Sequence, residues 1–201
     1  MELQSGAFTD QLESKGSLTP SEDHTCLLLQ EHTEPHQPRH SRWRGITSGT
    51  RIYTDGSKTE KGVGAAFCVW SGQNIVYRWL AKQQDYNTVF QAEFLALKHA
   101  TDHATSLPHH PVTILVDNQA SVQAAANPRS INTTARAISK SLITGKHIHI
   151  SWIKADVGYD GNEEVDRLAK EAEESDRDPL SVKAPIFFLK SIFKKKWRTS
   201  S

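Results

Sequence analysis

The segment Val112-Thr113-Ile114-Leu115-Val116-Asp117 places a continuous apolar run directly before a carboxylate. The run is too short for a typical helix, and an unbroken apolar run of this length is expected of a strand that is buried on both faces. Such strands occur in sheets that carry helices on both sides. The segment therefore predicts an α/β fold with Asp117 at the end of a buried strand.

Four other segments have the apolar and β-branched composition of strands: Arg51–Asp55, Val63–Trp70, Ile75–Leu80 and His147–Ile153. The first three follow one another with short connections, which predicts an antiparallel meander. Ser71–Asn74 has the composition of a hairpin turn, and Gly56–Lys58 together with Glu60–Gly62 is predicted as a turn after the first strand. Asp55 is accordingly expected at the end of that strand.

Helices are predicted in the intervals between and after these strands. Apolar residues recur every three to four positions after Thr88, which can cap a helix that continues to Ala104. Three further helices are predicted over Gln119–Ala126, Asn132–Leu142 and Gly161–Glu174. The order βββαβααβα predicts a five-stranded mixed sheet flanked by helices, with strands 1–3 antiparallel and strands 4 and 5 parallel.

The chain divides into three parts that differ in composition. Residues 1–47 are rich in Ser, Thr, Gln, His and Pro and show no sustained period, so we expect a disordered leader there. Residues 48–176 contain the strands and helices and form the predicted domain. Residues 177–201 form a tail, which from Pro185 onward has five basic residues and no acidic one.

The composition of all 201 residues excludes a membrane-spanning protein. Its 24 Lys and Arg nearly balance 23 Asp and Glu, and the apolar run Cys26–Leu29 is far below the roughly 20 residues of a transmembrane helix. Two cysteines cannot form a disulfide framework, and Met1–Gln4 lacks the basic start of a signal peptide. We expect a reducing, intracellular compartment, with the nucleus and the cytoplasm both open.

Four carboxylates accompany the apolar elements of the predicted domain. Asp55 and Asp117 each follow a strand, where an α/β sheet presents side chains to a ligand, and Glu93 and Asp166 lie between apolar positions of helices. Any one aspartate at a strand end is more often a turn or capping residue. Four acids converging on one pocket would require cations, and oxygen ligands favour Mg²⁺ or Mn²⁺. Two such ions, about 4 Å apart, can catalyse phosphodiester cleavage.

Five motifs between Arg51 and Glu174 resemble those of type 1 ribonuclease H domains. They are Tyr53–Ser57, Gln91–Glu93, Val116–Ala120, Trp152–Ala155 and Gly161–Lys170. The amino-acid sequences of Thr54–Lys58, Phe90–Glu93 and Gly161–Glu163 are similar to those of the domain at the C-terminal end of arthropod non-LTR retrotransposon polyproteins. The resemblance implies a ribonuclease H-like fold and an endonuclease that hydrolyses the RNA strand of RNA/DNA hybrids, leaving a 5′-phosphate and a 3′-hydroxyl.

The resemblance also implies the role of each carboxylate. Asp55 matches the position that bridges both metal ions, and Glu93, Asp117 and Asp166 match the positions that complete the two sites. The implied cofactor is a pair of Mg²⁺ or Mn²⁺ ions, and all four residues are both metal ligands and catalytic residues in this interpretation.

The implied substrate contacts are of two kinds. The backbone amides near Gly56 and Ser57 are expected to lie against the hybrid, and the side chains of Asn118, Gln119 and Asn162 are expected in its minor groove. That groove displays the 2′-hydroxyl groups that distinguish RNA from DNA. The expected partner is an RNA/DNA hybrid and no membrane. A monomer is expected, and a reverse transcriptase domain in a longer polyprotein is an open possibility.

Two positions depart from the family pattern. The loop after Trp152 usually contains a histidine, and Asp156 stands there instead. Because an acid cannot become cationic, we expect a slower enzyme. Val89 and Phe90 replace a polar pair that many relatives have before the catalytic glutamate, so one set of minor-groove contacts is expected either to be absent or to be supplied by Thr88 and Asn87.

Two other functions stay open at this level. A catalytically impaired, hybrid-binding transposon remnant would share the fold, and Asp156 favours it. A transposase or integrase relative also clusters acids on such a sheet, but Glu93 on the first helix disfavours it.

The tail allows several interpretations. Phe188, Ile192 and Lys195–Lys196 have helical spacing, which indicates an amphipathic basic helix. Such a helix could bind nucleic acid, act as a nuclear import signal or pack against a partner domain, or it could be the solvated end of a truncated polyprotein.

Overall fold

The computed structural model describes residues 49–108, 110–154 and 158–199. The leader predicted at residues 1–47 and the position of Asp156 lie outside these ranges. Five strands form one sheet: β1 (Thr50–Thr59), β2 (Gly62–Ser71), β3 (Asn74–Gln83), β4 (Val112–Val116) and β5 (Ile148–Trp152). Their order across the sheet is β3-β2-β1-β4-β5.

The sheet is mixed, as the sequence predicts. β1, β2 and β3 pair antiparallel, whereas β1, β4 and β5 pair parallel. The hairpin between β2 and β3 turns at Gly72, whose φ of 62° lies in the left-handed region that favours glycine. This topology is that of the ribonuclease H-like fold, and the predicted fold class is confirmed.

In the described ranges, five helices accompany the sheet: α1 (Val89–Ser106), α2 (Gln119–Ala126), α3 (Thr133–Thr144), α4 (Asp160–Glu174) and α5 (Ile186–Thr199). The first three begin at side-chain caps. The backbone N–H of Gln91 donates to Thr88 Oγ1 at 3.1 Å, and Asn118 and Asn132 cap α2 and α3 in the same way. Among the described residues, no helix is both long and apolar enough to cross a lipid bilayer.

Side chains of the central strands alternate between two cores. Ile52, Phe67 and Ile114 pack with α1, α2 and α3 on one face of the sheet. Tyr53 and Leu115 pack with α4 on the other face. Successive strand residues point to opposite faces of the sheet. Consecutive residues such as Ile52 and Tyr53, or Ile114 and Leu115, are therefore both buried. This explains the unbroken apolar run that precedes Asp117.

The turn predicted over Gly56–Lys58 and Glu60–Gly62 is correct only in its second part: the chain reverses at Glu60 and Lys61, directly before β2, and Gly56–Lys58 is not a turn. β1 continues to Thr59 and stays paired with β2 throughout, with Gly56 opposite Ala65 and Thr59 opposite Gly62. Asp55 therefore lies inside a long strand rather than at its end. The turn composition misled because the glycine serves a close approach of a helix, described below, and not a change of chain direction.

A second glycine lets α4 lie directly on β2. A Cβ atom at Gly64 would come within 2.0 Å of the carbonyl oxygen of Ala169 and 3.0 Å of the Cβ of Ala172. Since both atoms belong to the helix packed on the strand, a side chain at this position must push the helix away.

We predict that Gly64→Ala lowers the free energy of unfolding by about 3 kcal/mol, because overpacking displaces α4. The measurement is urea denaturation followed by circular dichroism. Gly72→Ala is the matched control: its Cβ would meet nothing within 4 Å, and its left-handed backbone should cost only about 1 kcal/mol. Equal midpoints for Gly64→Ala and the wild type would contradict this account of the packing.

Candidate active site

The register of the two central parallel strands brings two of the predicted carboxylates together. Thr54 of β1 pairs with Val116 of β4, which is the last residue of that strand. The next residues along the two chains are Asp55 and Asp117. Both therefore stand at the point where the parallel ladder ends, and Asp55 continues to pair with Ala66 of β2 on its other side.

Glu93 reaches this point because α1 packs on β1 at a glycine. A Cβ atom at Gly56 would lie 2.3 Å from the backbone nitrogen of Glu93 and 2.8 Å from the Cβ of Ala92. Only a residue without a side chain permits this approach. The first turns of the helix therefore lie beside Asp55.

Carboxylate oxygens of Asp55, Glu93 and Asp117 lie within 4.8 Å of one another. Asp55 is 8% exposed, and the other two residues are partly buried. Three acids at this separation are strongly unfavourable as anions. Their oxygens form the donor set that a hard divalent cation prefers, so the residues fit Mg²⁺ or Mn²⁺.

Two acids of the cluster, Asp55 and Glu93, bind protons more tightly than free carboxyl groups do. Burial, and next the charge of Asp117, raise the pKa of Asp55 from 3.8 to about 8, although the N–H of Gly56 donates to its Oδ1 at 2.7 Å and acts in the opposite direction. Burial likewise raises the pKa of Glu93 to about 7, opposed by the hydrogen bond from Asn118. Electrostatics therefore favour either protonation or a bound cation.

Two neutral side chains hold the acids in position. The amide nitrogen of Asn118 donates to Glu93, while the amide oxygen of Asn118 accepts from the backbone N–H of Ala120 at 2.9 Å and caps α2. The indole Nε1 of Trp152, at the end of β5, donates to the backbone carbonyl of Asp117 at 3.1 Å. Each contact ties one acid to a neighbouring element of the fold.

Asp166 lies close to the cluster but is not part of the group of three. It is carried by α4, on the face of the sheet toward which Asp55 points, and its charge raises the pKa of Asp55. The side chain of Asp166 is 44% exposed, and its Oδ2 pairs with Lys170 Nζ at 2.8 Å. The four predicted acids are thus a tight group of three and a fourth acid held by a lysine.

The residues predicted to contact the substrate occupy different environments. Ser57 is partly buried in β1, and Gln119 is exposed in the first turn of α2. The hydroxyl of Thr88 is engaged in capping α1. The Oδ1 of Asn162 is buried and has no hydrogen-bond partner among the described residues.

Sequence reasoning missed three contributors to this site. The packing role of Gly56 was hidden because glycine also marks turns. Trp152 belongs to one of the five motifs, but its hydrogen bond to Asp117 depends on strand pairing between distant segments. Lys170 stands four residues after Asp166, a spacing that favours a helical ion pair and is a signal visible in the sequence.

Comparison with known proteins agrees with this geometry. The fold and the acidic cluster define a member of the ribonuclease H-like class with a candidate site for divalent metal. The family model described as RNase H matches residues 47–174, which is more than half of the chain. The chain belongs to the RNase H family. No curated protein sequence matches it.

We predict that the metal-free protein loses stability as the pH rises from about 4 to about 8. The pKa of Asp55 is higher in the folded state than its ordinary value of 3.8, so the stabilising protonated form is complete below that value and is lost as the pH approaches 8. Asp55→Asn should melt several degrees higher than the wild type at pH 8 in EDTA, because 1 kcal/mol corresponds to roughly 3 to 6 °C in a domain of this size.

The control for this measurement is Asp102→Asn, which removes an acid of α1 that is exposed and paired with Lys98. It should keep the pH dependence of the wild type. A melting temperature of Asp55→Asn that equals or falls below that of the wild type at pH 8 in EDTA would contradict the proposed burial and repulsion of the carboxylate.

Proposed function

We propose that the chain hydrolyses the RNA strand of RNA/DNA hybrids with the help of two divalent metal ions, Mg²⁺ or Mn²⁺. The observation that carries this proposal is the convergence of Asp55, Glu93 and Asp117 within 4.8 Å in a chain of the RNase H family. Hybrid binding follows from the family in general. The metal pair, the 5′-phosphate product and an origin in a retrotransposon are the finer parts of the proposal.

The four acids have distinct tasks in this mechanism. Asp55, Glu93 and Asp117 would hold one cation, and Asp55 and Asp166 would hold the second. Such cations would supply a nucleophilic water at neutral pH and would stabilise the leaving oxygen of the scissile phosphodiester. Because the pKa values of Asp55 and Glu93 are raised, these two residues would release protons when they act as ligands at neutral pH.

The ion pair of Asp166 distinguishes the second metal position from the first. Lys170 Nζ occupies one oxygen of Asp166, so that oxygen becomes a ligand only when the lysine moves away. Both side chains are exposed, and an exposed pair of this kind contributes at most about 1 kcal/mol. A divalent cation can therefore displace the lysine at little cost.

Substrate recognition is assigned to the polar residues that surround the cluster. Gln119 stands exposed at the start of α2, next to Asn118, which already contacts Glu93. Ser57 follows Gly56 on the other side of Asp55, and the third assigned residue, Asn162, has a buried amide oxygen with no hydrogen-bond partner in the described part of the chain. Contacts to 2′-hydroxyls and phosphates read the shape of a hybrid, so we expect cleavage with little sequence preference.

The test of the proposal is cleavage of end-labelled RNA in a hybrid with DNA, in Mg²⁺ and in Mn²⁺. The wild type should cut the hybrid and leave RNA duplex and single-stranded RNA intact. Asp55→Asn should lower the rate at least about 100-fold, because electrostatic stabilisation at the reacting phosphate is lost. Asp102→Asn should cleave like the wild type, since that residue is distant from the cluster.

An intact, folded wild type that leaves the hybrid uncut in both metals would contradict the proposal. Binding of the hybrid without cutting, unchanged by Asp55→Asn, would favour a second candidate, a catalytically impaired hybrid-binding protein. The observation that favours this candidate is Asp156, which stands where the family usually has a histidine.

We predict that Asp156→His cleaves the hybrid faster than the wild type. A histidine can carry a proton at neutral pH, whereas an aspartate adds negative charge to a domain whose carboxylate cluster already repels anions. If the histidine participates fully in proton transfer, the gain is roughly 10²- to 10⁴-fold, and a role in product release gives less. Asp156→Asn is the control, since it removes the charge without adding a base. Equal rates for Asp156→His and the wild type would show that this position is unimportant.

A further inference from the structure

The terminal helix α5 carries a concentration of positive charge that the catalytic domain lacks. Residues 51–174 contain 13 Lys and Arg and 14 Asp and Glu. From Pro185 to the end the chain has five basic residues and no acidic one, and four of them are lysines of α5: Lys190, Lys194, Lys195 and Lys196. A polyanionic ligand is therefore the partner that the charge of this helix complements.

The segment between α4 and α5 is attached to the edge of the sheet. The Arg177 guanidinium donates to the carbonyl of Leu80 at 3.1 Å. The N–H of Leu180 donates to the carbonyl of Lys82 at 2.8 Å, and Leu180 forms a parallel bridge with Gln83. The tail thus runs along β3 instead of leaving the domain at the end of α4.

The same segment then meets the start of the helix that carries Glu93. Gln91 Nε2 donates to the carbonyl of Lys183 at 3.0 Å. The rings of Tyr86 and Phe188 stack with their centroids 4.7 Å apart. Gln91 Oε1 also accepts from the backbone N–H of Thr88 at 3.1 Å, so the segment that leads into α5 lies beside a residue assigned to the minor-groove contact.

The face of α5 that is turned away from this anchor mixes basic and aromatic side chains. Lys190, Phe193, Lys194 and Trp197 follow the spacing of neighbours on one helical stripe, and all are exposed, with Phe193 at 70% and Trp197 at 80%. A positive surface with accessible aromatic rings is the arrangement that binds single-stranded nucleic acid, since phosphates meet the charges and unpaired bases stack on the rings.

We propose that α5 binds single-stranded nucleic acid that continues from the hybrid held at the active site. This inference rests on the proposed function for the identity of the hybrid, whereas the affinity of α5 for a single strand is a property of the helix itself. The helix spans about 21 Å, so it can follow several nucleotides beyond the cleaved duplex.

The choice of nucleic acid as the occupant follows from the charge of α5 and from its attachment to a domain of the RNase H family. The helix is amphipathic, with Lys190, Lys194 and Arg198 on one side and Phe188, Leu189 and Ile192 on the other, so a lipid surface is the competing outcome that the experiments below distinguish. A second copy of the helix would bring like charges together. A double helix hides the faces of its bases, which leaves the exposed rings without a stacking partner.

The first test measures the fluorescence anisotropy of a labelled oligodeoxynucleotide of about 12 nucleotides, titrated with the full chain in EDTA. Phe193→Ala should weaken binding at least about fivefold, because a stacked base is lost. Lys190→Ala combined with Lys194→Ala should lower the slope of log affinity against log salt by about 1.4, which is about 0.7 for each lost phosphate contact.

The matched control is Lys140→Ala combined with Lys146→Ala. Both lysines are exposed, and Lys146 precedes β5, which places it at the end of the sheet opposite the carboxylates. This variant should bind the oligonucleotide like the wild type. An equal loss of affinity for the oligonucleotide in the control and in the α5 double variant would overturn the proposal, because binding would then depend on total charge alone.

The second test compares the cleavage of a blunt hybrid with that of hybrids extended by a single strand at either end. The wild type should show a lower KM for one of the extended substrates, and the α5 double variant should lose that difference. Equal KM values for blunt and extended hybrids in the wild type would overturn the proposal even if cleavage is normal. A chain that binds the oligonucleotide through α5 but cuts no hybrid would refute the proposed function and leave this inference standing.

An experiment with lipid vesicles tests the remaining possibility, which is that α5 binds a lipid surface. Cosedimentation with vesicles that contain phosphatidylserine, lost in the α5 double variant while oligonucleotide binding is unaffected, would overturn the proposal in favour of a lipid surface. Phe188→Ala tests the anchor independently: with the charge intact, detachment of the helix should abolish the KM difference and preserve binding of the free oligonucleotide. A KM difference equal to that of the wild type in Phe188→Ala would contradict the anchoring.

Discussion

The contact between α1 and β1 at Gly56 is the constraint on which the site depends. It brings the backbone of Glu93 so close to the strand that no side chain could stand between them. The parallel register of β1 and β4 sets Asp55 beside Asp117 at the same level. Three acids are thus held together by backbone packing and not by attraction between their side chains. The burial that stabilises the rest of the fold is what makes this group unfavourable in its charged form.

The elements around the cluster reduce its freedom to relax. Asn118 uses its amide oxygen to cap α2 and its amide nitrogen to hold Glu93, so the start of that helix and the orientation of the acid are coupled. Trp152 holds the backbone of Asp117 from the neighbouring strand. Because these groups are fixed by the fold, the acids cannot separate to lower their repulsion, and a proton or a cation must compensate it. Asp166 differs, since Lys170 already compensates its charge.

Much of the fold could be predicted from local sequence. Thr88, Asn118 and Asn132 are residue types that favour the N-cap position at the starts of three helices. The apolar run before Asp117 predicts a strand with two buried faces. The acids themselves were visible as carboxylates next to apolar elements. The structure differs at Gly56, where a turn signal proved to be a packing requirement, because local composition does not show which helix will cross a strand.

The features that could not be predicted from the sequence are contacts between distant segments. The hydrogen bond from Trp152 to Asp117 follows from the pairing of β5 with β4, and sequence spacing does not encode it. The attachment of Leu180 to β3 and of Phe188 to Tyr86 could not be predicted, since the helical spacing of the tail does not show which element it contacts. The basic composition of the tail was evident, but its position beside the start of α1 came only with the fold.

The central claim is that the buried carboxylates form a site for divalent cations. Its most direct test is a calorimetric titration of the chain with Mn²⁺ at pH 7, repeated in buffers of different ionisation enthalpy. We predict that the wild type binds Mn²⁺ with release of protons, because the pKa values of Asp55 and Glu93 are raised to about 8 and about 7. Glu93→Gln should weaken binding at least about tenfold. Binding of Mn²⁺ to Glu93→Gln with the affinity of the wild type, or no proton release from the wild type, would contradict the claim.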